Sequence, residues 1–282
     1  MNIKLFSVCY KEEHFSEVGP PFEPWDNLEN NNPKLREFPI FEAVFNSPQI
    51  KNVDYWGVLS PKFEKKAYIS GTQFLDWINT SYQKKPHDVY FINPAPIVEA
   101  IFPSVNQHGD NCHPGLMDLI KRNIKELQNI NLLTMHMDVN TFAMCNYFIG
   151  NKKFWNKYIS FVNTFLSSVH QNPNDYNMLF NKSANYGPDT SLPYYTFAIE
   201  RLFSIFLNIQ LHKKEITFTH FHYTPQLIKD KTSLPNDIVE ELIILSDIKQ
   251  VAISGGYIQM MKHWAFLRNK FVQQNPYLFY LE

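Results

Sequence analysis

Short apolar runs that stop at turn residues alternate with helix-period segments through the first hundred residues. Ile3 to Tyr10 is β-branched and aromatic and reads as a buried strand. Residues 11 to 34 then hold Gly19-Pro20-Pro21, Pro24 and Asn30-Asn31-Asn32-Pro33, and read as a long loop. Arg36 to Phe45 has a helical period, Asp54 to Leu59 is a strand, Gly71 to Ile78 a helix, and Asp88 to Ile92 a strand stopped at Asn93-Pro94. Strands separated by helices predict an α/β fold with a mostly parallel central sheet.

The later chain predicts helices over His113 to Leu127, Lys153 to Val169, Tyr195 to Leu211, Ile238 to Leu245 and Tyr257 to Phe271. Phe142 to Ile149 is read as a strand and Phe218 to Tyr223 as a short alternating segment. No repeat or low-complexity linker divides the chain. Residues 1–211 are expected to form the main domain, with 212–282 a helical C-terminal extension packed on it.

Composition closes several routes. Only 9 of 282 residues are Gly, and neither a G-x-x-x-x-G-K-[ST] loop nor a G-x-G-x-x-G turn occurs. Lys and Arg number 26 against 27 Asp and Glu, so no broad basic face for nucleic acid is expected. The three cysteines, Cys9, Cys112 and Cys145, are too few and too scattered for a disulfide framework or a zinc site. No apolar run reaches the ~18 residues of a membrane span, and the first residues are expected to form a strand rather than a signal peptide. The expected location is cytoplasmic.

Several residues are candidates for chemistry, each beside a plainer role. Tyr10 and Lys11 lie at the carboxyl end of the first strand, where α/β sheets hold ligands, or are a solvated strand end. Asn32 and Arg36 flank a helix start, where an Arg fork can meet an anion or simply face solvent. Ser60 and Lys62 follow the next strand and suit a phosphate or a turn. Glu200-Arg201 is a general base with its arginine or an ordinary polar helix face. His220 and His222 share a strand face without an evident third ligand. The helix carrying Lys262, His263, Arg268 and Lys270 among Trp264, Phe266 and Phe271 docks on its own domain or on an anionic membrane.

The order of several short motifs resembles one family. Asn32-Pro33-Lys34-Leu35-Arg36-Glu37-Phe38 is similar to its Asn-Pro-x-x-Cys-Glu-Leu segment. Gly57-Val58-Leu59-Ser60-Pro61-Lys62-Phe63 is similar to its Gly-Leu-x-His-Tyr-Arg-Arg, with the basic pair reduced to Ser60 and Lys62. Asn146-Tyr147-Phe148-Ile149, a Phe154-to-Tyr158 helix and Glu200-Arg201-Leu202 complete the set, over residues 3 to 210. The family is a bacterial glycosyltransferase domain of capsule and O-antigen synthesis that includes galactofuranosyltransferases.

The resemblance implies a GT-A-like nucleotide-sugar-binding sandwich. It implies transfer of a sugar from a nucleotide-sugar donor to an acceptor hydroxyl of a glycan or lipid-linked glycan, with peripheral contact on the cytoplasmic face of the inner membrane. Tyr10, Lys11, Asn32, Arg36, Glu37, Ser60, Lys62 and Arg201 are the expected donor contacts. Glu200 is the expected base, with Asp138 its rival, and Asn146 and Tyr195 are the expected sugar contacts. Such enzymes often hold Mg or Mn on Asp-x-Asp. Asp138-Val139-Asn140 is the nearest approach here, so no metal is expected to be required. The competing expectations are a non-catalytic glycan- or nucleotide-binding subunit and a phosphotransferase acting on a glycan.

Overall fold

Six strands form one sheet in a computed structural model that describes residues 1–30, 33–184 and 192–280. In chain order the strands are β1 (Ile3–Cys9), β2 (Phe22–Asp26), β3 (Tyr55–Leu59), β4 (Val89–Phe91), β5 (Phe148–Asn151) and β6 (Phe218–His220). The first helices are α1 (Glu12–Glu17), α2 (Phe38–Phe45), α3 (Phe63–Ala67), α4 (Gly71–Lys84), α5 (Pro96–Ile101), α6 (Val105–Cys112) and α7 (Leu116–Asn123). Then come α8 (Lys152–His170), α9 (Pro173–Tyr176), α10 (Tyr194–Lys213), α11 (Pro225–Thr232), α12 (Asn236–Ser254) and α13 (Ile258–Gln274).

The sheet order is β2-β1-β3-β5-β4-β6. β2, β1 and β3 are mutually parallel, β4 and β6 are parallel, and β5 runs against both of its neighbours. The sheet is therefore mixed, with β5 the one reversed strand. Alternate residues face opposite layers. Phe6, Val8, Trp56, Val58, Phe91 and Phe148 join the helices α2, α7, α8 and α10 in the larger core. Leu5, Tyr55, Leu59, Tyr90 and Ile149 meet Phe63, Phe74 and Ile78 on the other face. Trp56 and Trp155 stack at 3.8 Å, and the Trp155 indole N–H donates to the Trp56 carbonyl at 3.0 Å. Gly57 is required where β5 crosses β3: a Cβ there would lie 2.5 Å from Ile149 Cγ2.

Four expectations change. Residues 11–34 carry α1 and the edge strand β2 as well as loop. Pro24 hid that strand, yet an edge strand tolerates proline because one side of it has no ladder to complete. The helix expected over 113–127 is shortened to α7: it starts only after Gly115, which caps it at φ +87, and ends at Asn123. The strand expected over 142–149 starts only at Phe148 and runs on to Asn151; Cys145, at a left-handed φ of +62 that extended backbone cannot hold, breaks its expected start. The stretch after residue 211 is not wholly helical, since β6 pairs with β4 (Val89↔Phe218, Phe91↔His220). Asp88 ties that end together, accepting from Asn151 Nδ2 at 2.9 Å, Lys153 Nζ at 3.0 Å and the Thr217 amide at 2.9 Å.

α12 and α13 pack as a hairpin, and α12 also packs on α5. A third apolar cluster under them contains Phe102, Phe142, Leu242, Leu245, Trp264 and Phe271. No helix among the described residues is long and apolar enough to cross a membrane.

Candidate functional site

The chain runs from β1 outward to β2 and then returns past β1 to β3. A reversal of this kind is where open α/β sheets place a ligand, here beyond the carboxyl ends of β1 and β3. Tyr10 stands at the end of β1, its amide donating to His14 Nδ1 at 3.2 Å. Arg36, at φ +53, turns the chain into α2. Glu37 caps that helix with its backbone carbonyl, which accepts from the Ile40 and Phe41 amides at 3.0 Å. Its side chain makes no cap bond and is left for another partner.

That partner is Asn146, whose Nδ2 donates to Glu37 Oε2 at 2.5 Å. Asn146 is 2 % exposed, held by the loop that the left-handed Cys145 turns into β5. Its Oδ1 is buried and makes no hydrogen bond among the described residues. Beyond β3, Ser60 Oγ accepts from the Lys62 amide at 3.1 Å and starts α3. One turn on, Lys66 Nζ lies 4.0 Å from Cys145 Sγ. α10 supplies Glu200 and Arg201, with Arg201 Nη1 2.9 Å from Glu200 Oε2.

Arg201 is 3 % exposed and is braced from behind. Its Nη2 is 3.3 Å from His108 Nδ1. A guanidinium can only donate, so Nδ1 accepts. Burial, then the Arg201 charge, lowers His108 to about 3 and His113 to about 4, so both rings are neutral at pH 7. A Cβ on Gly109 would lie 3.0 Å from Arg201 Nε, so a side chain there would have to push the guanidinium aside by a few tenths of an ångström.

The electrostatics single out Glu37. Burial, and next the neighbouring Glu200 charge, push its carboxyl up to about 7; the Asn146 bond, Lys66 and Arg36 offset only part of this. The Tyr10 hydroxyl is raised by burial and by Glu37. Burial and Glu200 push the Cys145 thiol up to about 12. Cys145 is therefore a thiol at neutral pH and a poor nucleophile.

A cavity of about 110 Å³ lies farther along the same edge, past the ends of β4 and β6. Ile97, Val139, Tyr223 and Leu242 form apolar wall, and His220, His222, Ser246 and Asp247 add polar groups. Glu99 also lines it and pairs at 2.7 Å with Lys249, both being almost wholly buried. Ser246 Oγ donates to Glu99 Oε2 at 2.6 Å, and Lys249 Nζ donates to the Phe102 carbonyl at 3.1 Å. Burial, then His222, lowers His220 to about 3.

Of the residues expected from sequence, Tyr10, Arg36, Glu37, Ser60, Asn146, Glu200 and Arg201 gather beyond the carboxyl ends of β1 and β3. Lys11 is exposed and 3.4 Å from Glu13. Lys62 is exposed at the start of α3, and Lys66 is the lysine that faces Glu37. Asn32 lies outside the described residues. Asp138 accepts from the Asn140 amide at 3.0 Å and side chain at 2.9 Å, and its charge acts on Lys249 rather than on Glu37. Tyr195 is 2 % exposed and stacked 5.2 Å from Phe180 in the core, so it is no surface for a sugar. Arg201 is interior rather than on a helix flank, and Ser204 and Asn208 beside it are buried and bonded.

Reasoning from sequence missed Lys66, His108 and His113. Lys66 follows Lys62 by one helical turn, a signal that α3 would have supplied. The histidines carry no signal without knowing that α6 passes behind α10. Among the described residues no three His, Cys, Asp or Glu side chains converge as metal ligands. Comparison of the chain with protein-family models, with curated proteins and with solved structures finds no match.

Proposed function

We propose that this protein is a glycosyltransferase of the GT-A kind, moving a sugar from a nucleotide-sugar donor to an acceptor hydroxyl of a glycan. The observation that carries the reading is Glu37: a carboxyl brought to about 7 at the carboxyl edge of parallel strands, between two cations and a tyrosine. General acid–base catalysis works best with a group titrating near the working pH.

Glu37 takes the role first expected of Glu200. Glu200 already faces the Arg201 guanidinium, whereas Glu37 is aimed by a neutral amide. In the reaction, the acceptor oxygen bonds to the anomeric carbon and its proton passes to Glu37. The bond from that carbon to the diphosphate oxygen breaks, and the nucleoside diphosphate leaves with the electron pair. Arg36 and Lys66 meet the diphosphate charge, Tyr10 packs on the nucleotide, and Glu200 with Arg201 fixes the field around Glu37. The cavity beyond β4 and β6 offers room for a sugar of the acceptor.

The test is incubation with a panel of nucleotide sugars, with and without manganese, reading release of nucleoside diphosphate. Release by the wild type and its loss in Glu37→Gln support the reading. Binding of nucleotide sugars without release favours a non-catalytic subunit, and release of a monophosphate favours phosphotransfer.

A further inference from the structure

α13 divides cleanly at 100° per residue. Its inward half, with Trp264, Phe271, Met261 and Leu267, packs in the third core cluster. Its outward half is Ile258, Gln259, Lys262, His263, Phe266, Asn269, Lys270 and Gln273. Phe266 stands at the middle of that solvent face and is 66 % exposed, while Ile258 is 72 % exposed. Ile258, Lys262, Phe266 and Lys270 follow one another at i, i+4 and make a single stripe, with exposed Tyr257 just before it.

Charge is segregated as well. Residues 248–281 contain no Asp or Glu, although the whole chain is balanced at 26 cations to 27 anions. Solvated helix faces usually mix signs in i, i+4 pairs; α12 carries Asp237, Glu240, Glu241 and Asp247, whereas α13 carries none. Arg268 is engaged by its own domain, its Nε donating to the Ile101 carbonyl at 2.7 Å. Lys262 and Lys270 make no ion pair among the described residues.

We propose that this face of α13 docks on an anionic phospholipid surface, with Phe266 and Ile258 entering the headgroup boundary and Lys262 and Lys270 meeting lipid phosphates. Lysine stems lie along apolar surface while their ammonium groups reach the headgroups, and a helix with aromatic and basic residues on one face suits the interface plane. The stripe is short, so attachment is reversible. It rests on the helix alone and is independent of the transferase reading.

The experiment is co-sedimentation of the full chain with phosphatidylcholine vesicles, with and without phosphatidylglycerol. Binding is expected only with phosphatidylglycerol, and it weakens with salt. The Lys262→Gln/Lys270→Gln double variant is expected to partition about 25-fold less, at about fivefold per lysine near an anionic surface. Phe266→Ala is expected to lower partitioning with an unchanged melting temperature. Wild-type protein that stays in the supernatant with phosphatidylglycerol vesicles at low salt overturns the proposal. So does a double variant that binds as well as the wild type, or equal binding to both lipid mixtures. A dimer in sedimentation equilibrium that the double variant abolishes, without vesicle binding, assigns the face to a second copy instead.

Discussion

Two acid–base pairs sit along the carboxyl edge of one sheet and differ in their access to water. Glu99–Lys249 is sealed, its side chains 2 % and 0 % exposed. Glu200–Arg201 is half open, with Glu200 25 % exposed and Arg201 backed by neutral His108. A sealed pair has exchanged hydration for one partner and holds two elements in register; here it ties α5 to α12. An open pair keeps one carboxylate free to act on what enters, and Glu200 does so already by raising Glu37. The difference separates structure from chemistry among buried charges of the same type.

The largest effect is expected from breaking the sealed pair. Lys249→Met leaves Glu99 buried without its counter-ion and is expected to cost about 3–5 kcal/mol, as removal of one partner of a buried pair does. Urea denaturation measures it. Adding Glu99→Gln is expected to recover much of the loss, and a cost under about 1 kcal/mol for Lys249→Met would be that of a surface pair and would end the contrast. Next comes Glu37→Gln. Transfer is expected to fall about 10²–10⁴-fold, the usual contribution of a general acid or base, while the urea midpoint holds or rises.

The pH dependence sharpens the same point. The folded protein keeps a proton on Glu37 between about 4.5, where the unfolded chain releases it, and about 7. The folded state then binds more protons than the unfolded one, so this group's contribution to stability falls as pH rises through that window. Thermal melting across it is expected to show the decline, flattened in Glu37→Gln. Transfer, which needs the ionised form, is expected to rise through about pH 7. The smallest effect separates two lysines one turn apart. Lys66→Gln is expected to weaken nucleoside diphosphate binding by up to about fivefold, the scale of an exposed charge. Lys62→Gln is expected to leave it unchanged in the same titration.

Most of the architecture was readable as pattern. β1, β3 and β4 are short apolar runs closed by turn residues, and α8 and α10 follow from their period and length. Local chemistry stated those elements because each depends on neighbours within a few residues. The same local logic placed Tyr10, Arg36 and Ser60 at element ends and Glu200 on a helix face, and the family resemblance added Glu37 and Asn146. It failed at β2, where edge position excuses a proline, and at Cys145, where a left-handed residue cuts a strand short.

Tertiary structure alone decided which groups share a field. Residues 37, 146 and 200 are distant in the chain, and only the return of β5 between β3 and β4 and the passage of α10 behind the edge bring them together. Burial then shifts a carboxyl or a histidine by removing water from all sides, which no window of sequence encodes. For the same reason Tyr195 became core and Lys66 replaced Lys62. The periodicity of a helix gives its faces, but the packing of its neighbours chooses which face is wet.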